Sequence, residues 1–412
     1  MATIQPFRPY RYTAKAGDPA NVLTQPYDKI NPEMQARYLA ASPYNLVRII
    51  LGERKSTDND AENVYTRAAG YLNDWIHDGA LAQDAVPGLY AYFQEFQVPD
   101  SGERLTRKGF IGIGKIEDYA ANIVFRHEQT LTGPKKDRLE LLRHTRAHFG
   151  QIFMLYPDPV SEIDHILDHA ATGAPAVSVA DDYGAQHMLW PITGVDQIAR
   201  IQALMGPKKL LIADGHHRYE TALAYRNEHP DDPAAQYVMM TFVNMHARGV
   251  KILATHRVLR NLPSFNPEHF FEKAVKAGWS VAACDSVEAL KRRMASGDPK
   301  RVQIGVVASN ETRLMQRPRK EGQLDVPALH HDVLGALLGI SEEAVREEKY
   351  IQYVRGIDAA AAEVQNGAQV AFLLEPTPID EMARIAFGGG VMPQKSTDFY
   401  PKLLSGMTIY KL

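Results

Sequence analysis

Helical and strand patterns alternate along the whole 412-residue chain, and this mixture constrains the fold more than any other sequence feature. Residues 60–77 carry apolar side chains at helical spacing, whereas 46–51, 89–98 and 106–115 have the pattern of strands. Interleaved helices and strands predict an α/β fold, with an α+β arrangement as the alternative. A connector rich in Pro and Phe near residue 262 divides the chain into two predicted domains, 1–262 and 263–412.

Composition excludes several classes of protein. The hydrophobic fraction of 45% and the charged fraction of 23% are typical of a globular chain rather than a disordered or fibrous one. A net charge of −3 disfavours general nucleic-acid binding. Cys284 is the only cysteine, which excludes a disulfide framework and a cysteine-rich metal site. No apolar run approaches the ~20 residues that cross a bilayer, so we expect a soluble, cytoplasmic protein without membrane contact.

The most informative segment joins a short apolar strand, 210–213, to a predicted helix. The strand ends at Asp214 and Gly215, and His216, His217 and Arg218 then open the helix, which continues over 219–227. The first turn of a helix presents unpaired N–H groups and a partial positive charge, which suit an anion such as phosphate. Gly215 permits a sharp turn and a close approach to a ligand, and Arg218 offers a planar fork to phosphate or carboxylate. Asp214 is placed to accept a proton or to help hold a metal. A capped helix with polar, solvent-facing residues is the alternative.

A second cluster follows the apolar residues 123–125. It comprises His127, Glu128 and a local concentration of bases, namely Arg126, Lys135, Lys136, Arg138, Arg143 and Arg146. Such a concentration suits a polyanionic small molecule such as a nucleotide, and a solvated basic face is the alternative. Glu128 is predicted either to bind Mg²⁺ or a substrate amino group, or to form a buried ion pair with Arg126.

A third candidate is the glycine-rich segment 388–397, which ends in Lys395, Ser396 and Thr397. Its spacing does not match the Walker phosphate loop. A lysine, two hydroxyl groups and backbone N–H groups can nevertheless hold a phosphate. The segment therefore predicts a phosphate contact, with an ordinary glycine-rich helix exit as the alternative.

Smaller signals complete the set of candidates. Arg257 is predicted to add a cationic contact to the phosphates. Tyr27 and Asp28, at a turn, are predicted to reach the same cleft and to contact the substrate. The aromatic and basic residues that follow the glycine-rich segment are predicted to cover a base or a substrate, namely Phe399, Tyr400 and Lys402.

The stretch 213–222, Ala-Asp-Gly-His-His-Arg-Tyr-Glu-Thr-Ala, resembles the signature of a prokaryotic family known as domain of unknown function 1015. This resemblance runs nearly from end to end of the chain. Its other matching segments are 25–28, 126–130, 329–330, 392–397 and 399–402.

The Asp-Gly-His-His-Arg box is also similar to the phosphate-binding box of the ParB/sulfiredoxin-like fold. That group includes nucleotide-hydrolysing partition proteins, sulfiredoxins and free-serine kinases. The similarity implies a ParB/sulfiredoxin-like core with large insertions and a C-terminal α/β segment. In the serine kinases it would make Asp214 the base that deprotonates a substrate hydroxyl, with His216, His217 and Arg218 holding the nucleotide phosphates.

Three functional hypotheses follow. The first is a phosphotransferase that uses ATP or ADP, with Mg²⁺, to phosphorylate a small hydroxyl metabolite such as L-serine. Such an enzyme needs cations, a metal and a carboxylate base, and Lys395, Arg126 and Asp214 are candidates. The second is a metal-dependent phosphatase or hydrolase with ligands from His127, Glu128, Asp214, His216 and His217. The third is a non-catalytic nucleotide-binding switch protein. Each would act on small molecules, and a homodimer is compatible with all three.

Overall fold

The computed structural model describes residues 1–99, 101–128, 132–309, 311–393 and 395–412. Gln129, Thr130 and Gln394, which belong to the predicted motifs, lie outside the described residues. The chain forms two compact units: unit 1 comprises Met1–Arg126, Thr130–Lys251 and Pro401–Leu412, and unit 2 comprises His127–Gln129 and Ile252–Tyr400.

Unit 2 differs from the second predicted domain, 263–412, at both its beginning and its end. The strand Thr255–Leu259 belongs to unit 2, and the last residues of the chain belong to unit 1. The terminal strand Tyr410–Lys411 pairs with Ala147–His148, which ties the C-terminus to unit 1. No local pattern near residue 262 encodes that return of the chain.

Unit 1 is built on one mixed sheet, which has nine strands within the described residues. Its order is Val124–Phe125, Leu210–Asp214, Ile152–Tyr156, Tyr237–Asn244, Arg104–Lys115, Leu89–Gln97, Gln186–Ile192 and Val177–Ala180, with Ile4–Gln5 beside Arg104–Lys115. The predicted pair of strands around residues 99–102 is confirmed, since Leu89–Gln97 and Arg104–Lys115 are antiparallel neighbours. The mixed α/β class is likewise confirmed.

The two faces of this sheet differ in chemistry. One face carries Ile212, Met154 and Phe242 into the main hydrophobic core, where the helices Glu162–Ala170 and Val195–Met205 cover it. Successive side chains of a strand point to opposite faces. The other face therefore carries the alternate residues, and it holds a row of buried polar side chains that leads across the sheet.

The helices of unit 1 surround the sheet. They are Pro32–Ala41, Val47–Ile50, Val64–His77, Thr132–Thr145, Glu162–Ala170, Val195–Met205 and His216–Glu228, with single turns at Ala14–Ala16, Pro19–Asn21, Tyr27–Lys29, Tyr119–Ala121 and Ala234–Gln236. The Asn31 side chain accepts a hydrogen bond from the backbone N–H of Met34 and so caps the helix Pro32–Ala41. Two further short strands, Tyr10–Tyr12 and Leu81–Gln83, pair with each other.

The strand predicted over 46–51 is wrong, because this segment forms the short helix Val47–Ile50. The Asn45 side chain accepts a hydrogen bond from the backbone N–H of Val47 at 2.9 Å and so starts the turn. Val47, Ile49 and Ile50 are all buried. A short apolar run that is buried on every side has no periodicity that separates a helix from a strand.

Unit 2 contains an antiparallel sheet of six strands among its described residues. Its order is Ser280–Ala283, Glu311–Pro318, Arg301–Ala308, Val370–Leu373, Thr255–Leu259 and Ile351–Arg355. The helices are Pro267–Lys276, Val287–Ala295, Asp325–Ala328, Glu342–Arg346, Ile357–Gln365 and Ile379–Phe387, with a π-helix at Leu329–Leu337. The remaining short strands are Lys251–Leu253 and Asp398–Tyr400. Across the described ranges of both units, no helix has the length and apolarity that a membrane span requires.

Candidate active site

The strand Leu210–Asp214 and the helix His216–Glu228 form the predicted corner, with Gly215 between them. The strand lies between Val124–Phe125 and Ile152–Tyr156, so its first four residues are buried. Gly215 has a φ of 96°, a left-handed conformation that favours glycine. The helix begins at His216, which confirms that His216, His217 and Arg218 stand in its first turn. His216 is buried, and His217 is partly buried.

Asp214 forms ion pairs with two cations of unit 1. Its Oδ2 atom lies 2.7 Å from the Nζ atom of Lys402, and its Oδ1 atom lies 3.0 Å from the Nη2 atom of Arg218. Burial alone would raise the pKa of Asp214, but Lys402 and Arg218 outweigh it and hold that pKa well below its usual range, with a smaller contribution from Lys29. We call Asp214, Gly215, Arg218 and Lys402 the Asp214 corner. Two cations, Lys402 and Arg218, thus bind this one carboxylate, and Lys29 also acts on it electrostatically.

Gly215→Ala tests how closely the corner is packed. A Cβ atom on Gly215 would lie 3.0 Å from the Nε atom of Arg218. The variant should lose about 1 kcal/mol of unfolding free energy through backbone strain and should also displace the guanidinium group. Urea unfolding measures the first effect, and calorimetric titration with pyrophosphate measures the second as a severalfold loss of affinity.

Gly184→Ala is the matched control, since Gly184 has a φ of 80° and a Cβ atom added there would meet nothing within 4 Å. It should show the same loss of stability with unchanged affinity for pyrophosphate. Equal affinities for both variants would contradict the close packing of Arg218 against Gly215.

A buried network holds the backbone of Lys402. Arg107 is 1% exposed, donates from Nε to the Gln94 Oε1 atom at 2.8 Å, and also donates to the Pro401 carbonyl. Gln94 donates from Nε2 to the Lys402 carbonyl at 2.8 Å. Burial lowers the pKa of Arg107 to about 10, which still leaves it protonated at neutral pH. The network therefore holds the carbonyls of Pro401 and Lys402, which lie on either side of the Cα atom that carries the lysine side chain.

The same row of polar side chains continues to His187 and Asp181. His187 lies opposite Gln94 in the sheet, and its Nδ1 atom lies 2.6 Å from the hydroxyl oxygen of Tyr92. Its Nε2 atom lies 3.2 Å from Asp181, and Gln25 donates to the same carboxylate at 3.1 Å. Burial lowers the pKa of His187. Gln25, from the 25–28 segment, thus contributes to this buried network.

Most of the predicted basic cluster is paired with acids in unit 1. Arg126 and Lys135 both bind Glu220. Arg143 binds Glu228 and Arg146 binds Asp232. These pairs favour the alternative interpretation, a solvated and charge-balanced face, for Arg143 and Arg146.

Arg138 differs, because it faces a cleft. Its guanidinium group lies 4.2 Å from the centre of the Tyr27 ring. Tyr27 is partly buried, and Asp28, the next residue, is exposed on the turn Tyr27–Lys29. A substrate contact by either residue stays a prediction.

The third candidate segment and two residues of the second lie in unit 2. We call residues 392, 393 and 395–397 the Lys395 loop. His127 lies 2.7 Å from the Thr397 hydroxyl, and Glu128 accepts the backbone N–H of Lys395 at 2.8 Å. Glu128 thus binds the loop, whereas its alternative partner, Arg126, binds Glu220 in unit 1.

Both hydroxyl groups of the Lys395 loop make hydrogen bonds, one within the loop and one to His127. Ser396 donates to the Pro393 carbonyl at 2.6 Å, and Thr397 contacts His127. Arg257, which is fully buried, donates to the Lys395 carbonyl at 3.0 Å. Lys395 has a φ of 57° and is exposed. These bonds give Ser396, Thr397 and Arg257 a structural role, and a phosphate contact by them stays a prediction.

Unit 2 should lose stability in acid because it contains two buried histidines beside Arg257, His256 and His330. Burial and the neighbouring Arg257 lower the pKa of His256 to about 4 and that of His330 to about 3. Unfolded histidine has a pKa of about 6.5, so the unfolded state binds more protons below that pH and stability falls as the pH drops. Each histidine should lower the free energy of unfolding of unit 2 by about 2 kcal/mol at pH 5. Hydrogen exchange of the strand Thr255–Leu259 at pH 7 and pH 5 measures the loss.

His330→Gln should remove about half of this acid sensitivity. His331→Gln is the control, since the His331 side chain is 85% exposed. Identical pH dependence in the wild type and both variants would show that Arg257 and its neighbours do not limit the stability of unit 2.

The described ranges contain no group of three or more His, Cys, Asp or Glu side chains that could hold a metal ion. Within unit 1, Asp214, His216 and His217 therefore form no preassembled centre of the kind that a metal-dependent hydrolase needs. At the Asp214 corner, two bound cations already occupy the carboxylate, which does not fit a Mg²⁺ site built from protein ligands alone. A role for Glu128 as a metal ligand stays a prediction.

Two residues at or beside the corner were not predicted in these roles. Lys402 was expected to cover a base or a substrate, and the structure pairs it with Asp214 instead. Arg107 was not singled out. The available signal was the position of this arginine on its strand: residues two apart share a face, so Arg107 lies on the same face as Leu105 and Gly109, whereas Thr106 and Lys108 lie on the other.

Comparisons with known proteins bear on the family. No curated protein matches the sequence. Among solved structures, a free serine kinase variant with ADP is 12% identical, with a TM-score of 0.37 over 68% of this chain and 84% of that one. SbnI from Staphylococcus aureus, truncated at its C-terminus, is 10% identical, with a TM-score of 0.37 over 71% and 85%. A conserved hypothetical protein from Pyrococcus furiosus is 12% identical, with a TM-score of 0.35 over 68% and 87%.

The sequence family is defined more firmly than these structural likenesses. The family model described as "Protein of unknown function (DUF1015)" matches residues 4–337, which is most of the chain. The match includes the Asp214–Arg218 box and confirms the resemblance drawn from it. The chain belongs to the DUF1015 family.

Proposed function

We propose that this chain is a nucleotide-dependent phosphotransferase that phosphorylates the hydroxyl group of a small metabolite, with free L-serine as one candidate. The observation that carries the proposal is the charge at the Asp214 corner. Lys402 and Arg218 bind one carboxylate, and Lys29 lies close enough to act on it too. This surplus of cations stands at the N-terminus of a 13-residue helix, where the helix dipole also favours an anion.

Phosphoryl transfer needs positive charge around the transferring group more than it needs covalent chemistry. In the proposed reaction, the donor phosphates bind Arg218 and Lys402 in place of the Asp214 carboxylate. Guanidinium and ammonium groups bind phosphate oxygens well, and the guanidinium group can do so with two parallel hydrogen bonds.

Donor binding would then activate Asp214. With both cations bound to it, the carboxylate has a pKa well below its usual range and is a weak base. Once phosphate takes over those cations, the basicity of Asp214 rises and the carboxylate can accept the proton of the acceptor hydroxyl. A bond forms between the acceptor oxygen and the transferred phosphorus, the bond to the leaving nucleotide breaks, and the proton passes to Asp214.

The functional roles of the other candidate residues stay predictions. His216 and His217 are candidates for further phosphate contacts in the first helical turn. Mg²⁺ would accompany the nucleotide, as it usually does with one or two carboxylates and the substrate phosphates. No step of the proposed reaction depends on a residue that binds this ion. A homodimer and a cytoplasmic location also stay predictions.

Phosphorus NMR of the purified chain tests the proposal. ATP or ADP is incubated with Mg²⁺ and single hydroxyl compounds, L-serine among them, and the appearance of a phosphate monoester is followed. Product with at least one acceptor, absent without protein, is the expected result. Nucleotide binding without consumption by any acceptor would overturn the proposal in favour of the switch alternative.

A further inference from the structure

A small cleft lies beside the Asp214 corner, and its whole lining belongs to unit 1. Arg218 lines it, so the cleft shares one residue with the corner. The volume of the cleft is about 70 Å³. A single water molecule needs about 10–15 Å³, whereas an engineered cavity of about 150 Å³ admits benzene. The cleft therefore has room for one compact group of a few atoms and for nothing as large as a nucleoside.

The charge of the cleft wall favours an anion. Arg138 and Arg218 line it, and none of the described residues that line it is an aspartate or a glutamate. The Arg138 guanidinium group forms an ion pair with Asp137. Arg218 is therefore the cation that a bound group would meet.

Two polar atoms of the lining stand against the backbone of Gly150. A Cβ atom on this glycine would lie 3.2 Å from the Oγ atom of Ser405 and 3.4 Å from the Nη1 atom of Arg218. Nη1 donates to the Gln151 carbonyl, whereas Nη2 binds Asp214. A terminal nitrogen of arginine carries two N–H groups, so Nη1 has a second one for a ligand. The absence of a Cβ atom on Gly150 thus leaves space beside a hydroxyl group and a guanidinium N–H.

Thr221 supplies a further polar group that points to a ligand. It lines the cleft and is 5% exposed, and its Oγ1 atom has no hydrogen-bond partner within the described part of the chain. Buried hydroxyl groups are normally hydrogen-bonded, because an unpaired one loses its bonds to water without compensation. Thr221 stands three residues after Arg218 and therefore on the same side of the helix. Because the cleft is so small, a group bound beside Arg218 lies within reach of this hydroxyl.

We infer that this cleft is a subsite for one phosphate group, held by the Nη1 atom of Arg218 and by the hydroxyl groups of Thr221 and Ser405. A phosphate group presents strong acceptor oxygens in several directions, which suits three donors around one small space. The inference goes beyond the proposed function, because a protein that binds phosphate without transferring it would need the same subsite. The group is either free phosphate or one phosphate of a nucleotide.

Calorimetric titration of the full chain with inorganic phosphate, at constant ionic strength, tests the subsite. The wild type should bind phosphate, and it should bind the planar anion acetate at least ~10-fold more weakly. Gly150→Ala places a methyl group in the cleft and should weaken phosphate binding at least ~10-fold. Thr221→Val and Ser405→Ala each remove one hydrogen bond to a charged group, and each should weaken phosphate binding about 10-fold.

Gly70→Ala and Thr241→Val are the matched controls. A Cβ atom on Gly70 would meet nothing within 4 Å. Thr241 is buried, and its hydroxyl likewise has no hydrogen-bond partner among the described residues, but it does not line the cleft. Both variants should bind phosphate as the wild type does. Circular dichroism shows whether each variant is folded.

A second titration, of ATP into protein saturated with phosphate, separates the two sources of the phosphate group. If the cleft holds free phosphate, the affinity for ATP should be the same with and without phosphate and in Gly150→Ala. If the cleft takes one phosphate of the nucleotide, phosphate should compete with ATP, and Gly150→Ala should weaken the binding of both.

The subsite is overturned if the folded wild type binds no phosphate, or if it binds acetate as tightly as phosphate. Unchanged phosphate affinity in the folded Gly150→Ala, Thr221→Val and Ser405→Ala proteins would also overturn it. The proposed function fails by a different result, the absence of a phosphorylated product with every acceptor. That result leaves the subsite standing, and loss of the subsite leaves the transfer reaction standing.

Discussion

Asp214→Asn should abolish phosphoryl transfer and at the same time strengthen the binding of the donor. The amide cannot accept the proton of the acceptor hydroxyl, and loss of a positioned general base typically costs about 10²–10⁴-fold in rate. It also removes the negative charge that competes with phosphate for Lys402 and Arg218. Affinity for the nucleotide should therefore rise about 5- to 10-fold, or about 1 kcal/mol. Phosphorus NMR measures the rate, and calorimetric titration measures the affinity.

Because the rate should fall while donor affinity rises, this result can be told apart from that of an unfolded variant. A variant that merely unfolds loses binding and turnover together. Asp118→Asn is the control: Asp118 forms an ion pair with Arg226 on the same helix, and its side chain is 64% exposed. Weaker donor binding in a folded Asp214→Asn protein would contradict the idea that this carboxylate and the phosphates share their cations.

Lys402→Met should reduce donor affinity about 10- to 100-fold, because a charge-assisted hydrogen bond to phosphate contributes roughly 1.5–3 kcal/mol. The methionine keeps most of the side-chain volume and removes the ammonium group, which is 2.7 Å from Asp214. The pKa of Asp214 should rise toward its usual range in this variant. Carbon NMR of labelled aspartate follows that titration directly.

Two further variants complete the test of Lys402. Lys402→Arg should restore part of the affinity, since it restores the charge. Lys108→Met removes a lysine whose ion pair with Asp168 is more exposed, and it should change neither the affinity nor the pKa of Asp214. An unchanged titration of Asp214 in Lys402→Met would show that this lysine does not control the carboxylate.

The corner itself was predictable because its pattern is local. An apolar run followed by Asp-Gly and a helical segment predicts a strand, a turn and a helix within about a dozen residues. The structure has the strand Leu210–Asp214 and the helix His216–Glu228 at these positions. The cap at Asn31 follows from equally local chemistry.

Residues 46–51 show where local reasoning fails. Their apolar side chains fit a strand and a helix equally well, and the helix starts where the backbone N–H of Val47 donates a hydrogen bond to the side chain of the neighbouring Asn45. Full burial removes the alternation between polar and apolar positions on which the choice depends. The hydrogen bonds of Ser396 and Thr397 were equally unpredictable from the sequence, since a hydroxyl group can bind either a phosphate or a neighbouring protein group such as a carbonyl or an imidazole.

The sequence alone established the α/β class, the family and the position of the turn between the strand that ends at Asp214 and the helix that follows it, since all three depend on patterns of neighbouring residues. It did not predict that Lys402, which lies 188 residues from Asp214, would bind it. Nor did it predict that Arg107 would donate to the Pro401 carbonyl across 294 residues. These contacts arise from the order and register of the strands and from the return of the C-terminus to unit 1. No local rule links residues so far apart, because the backbone periodicities that shape a helix or a strand act over only a few residues.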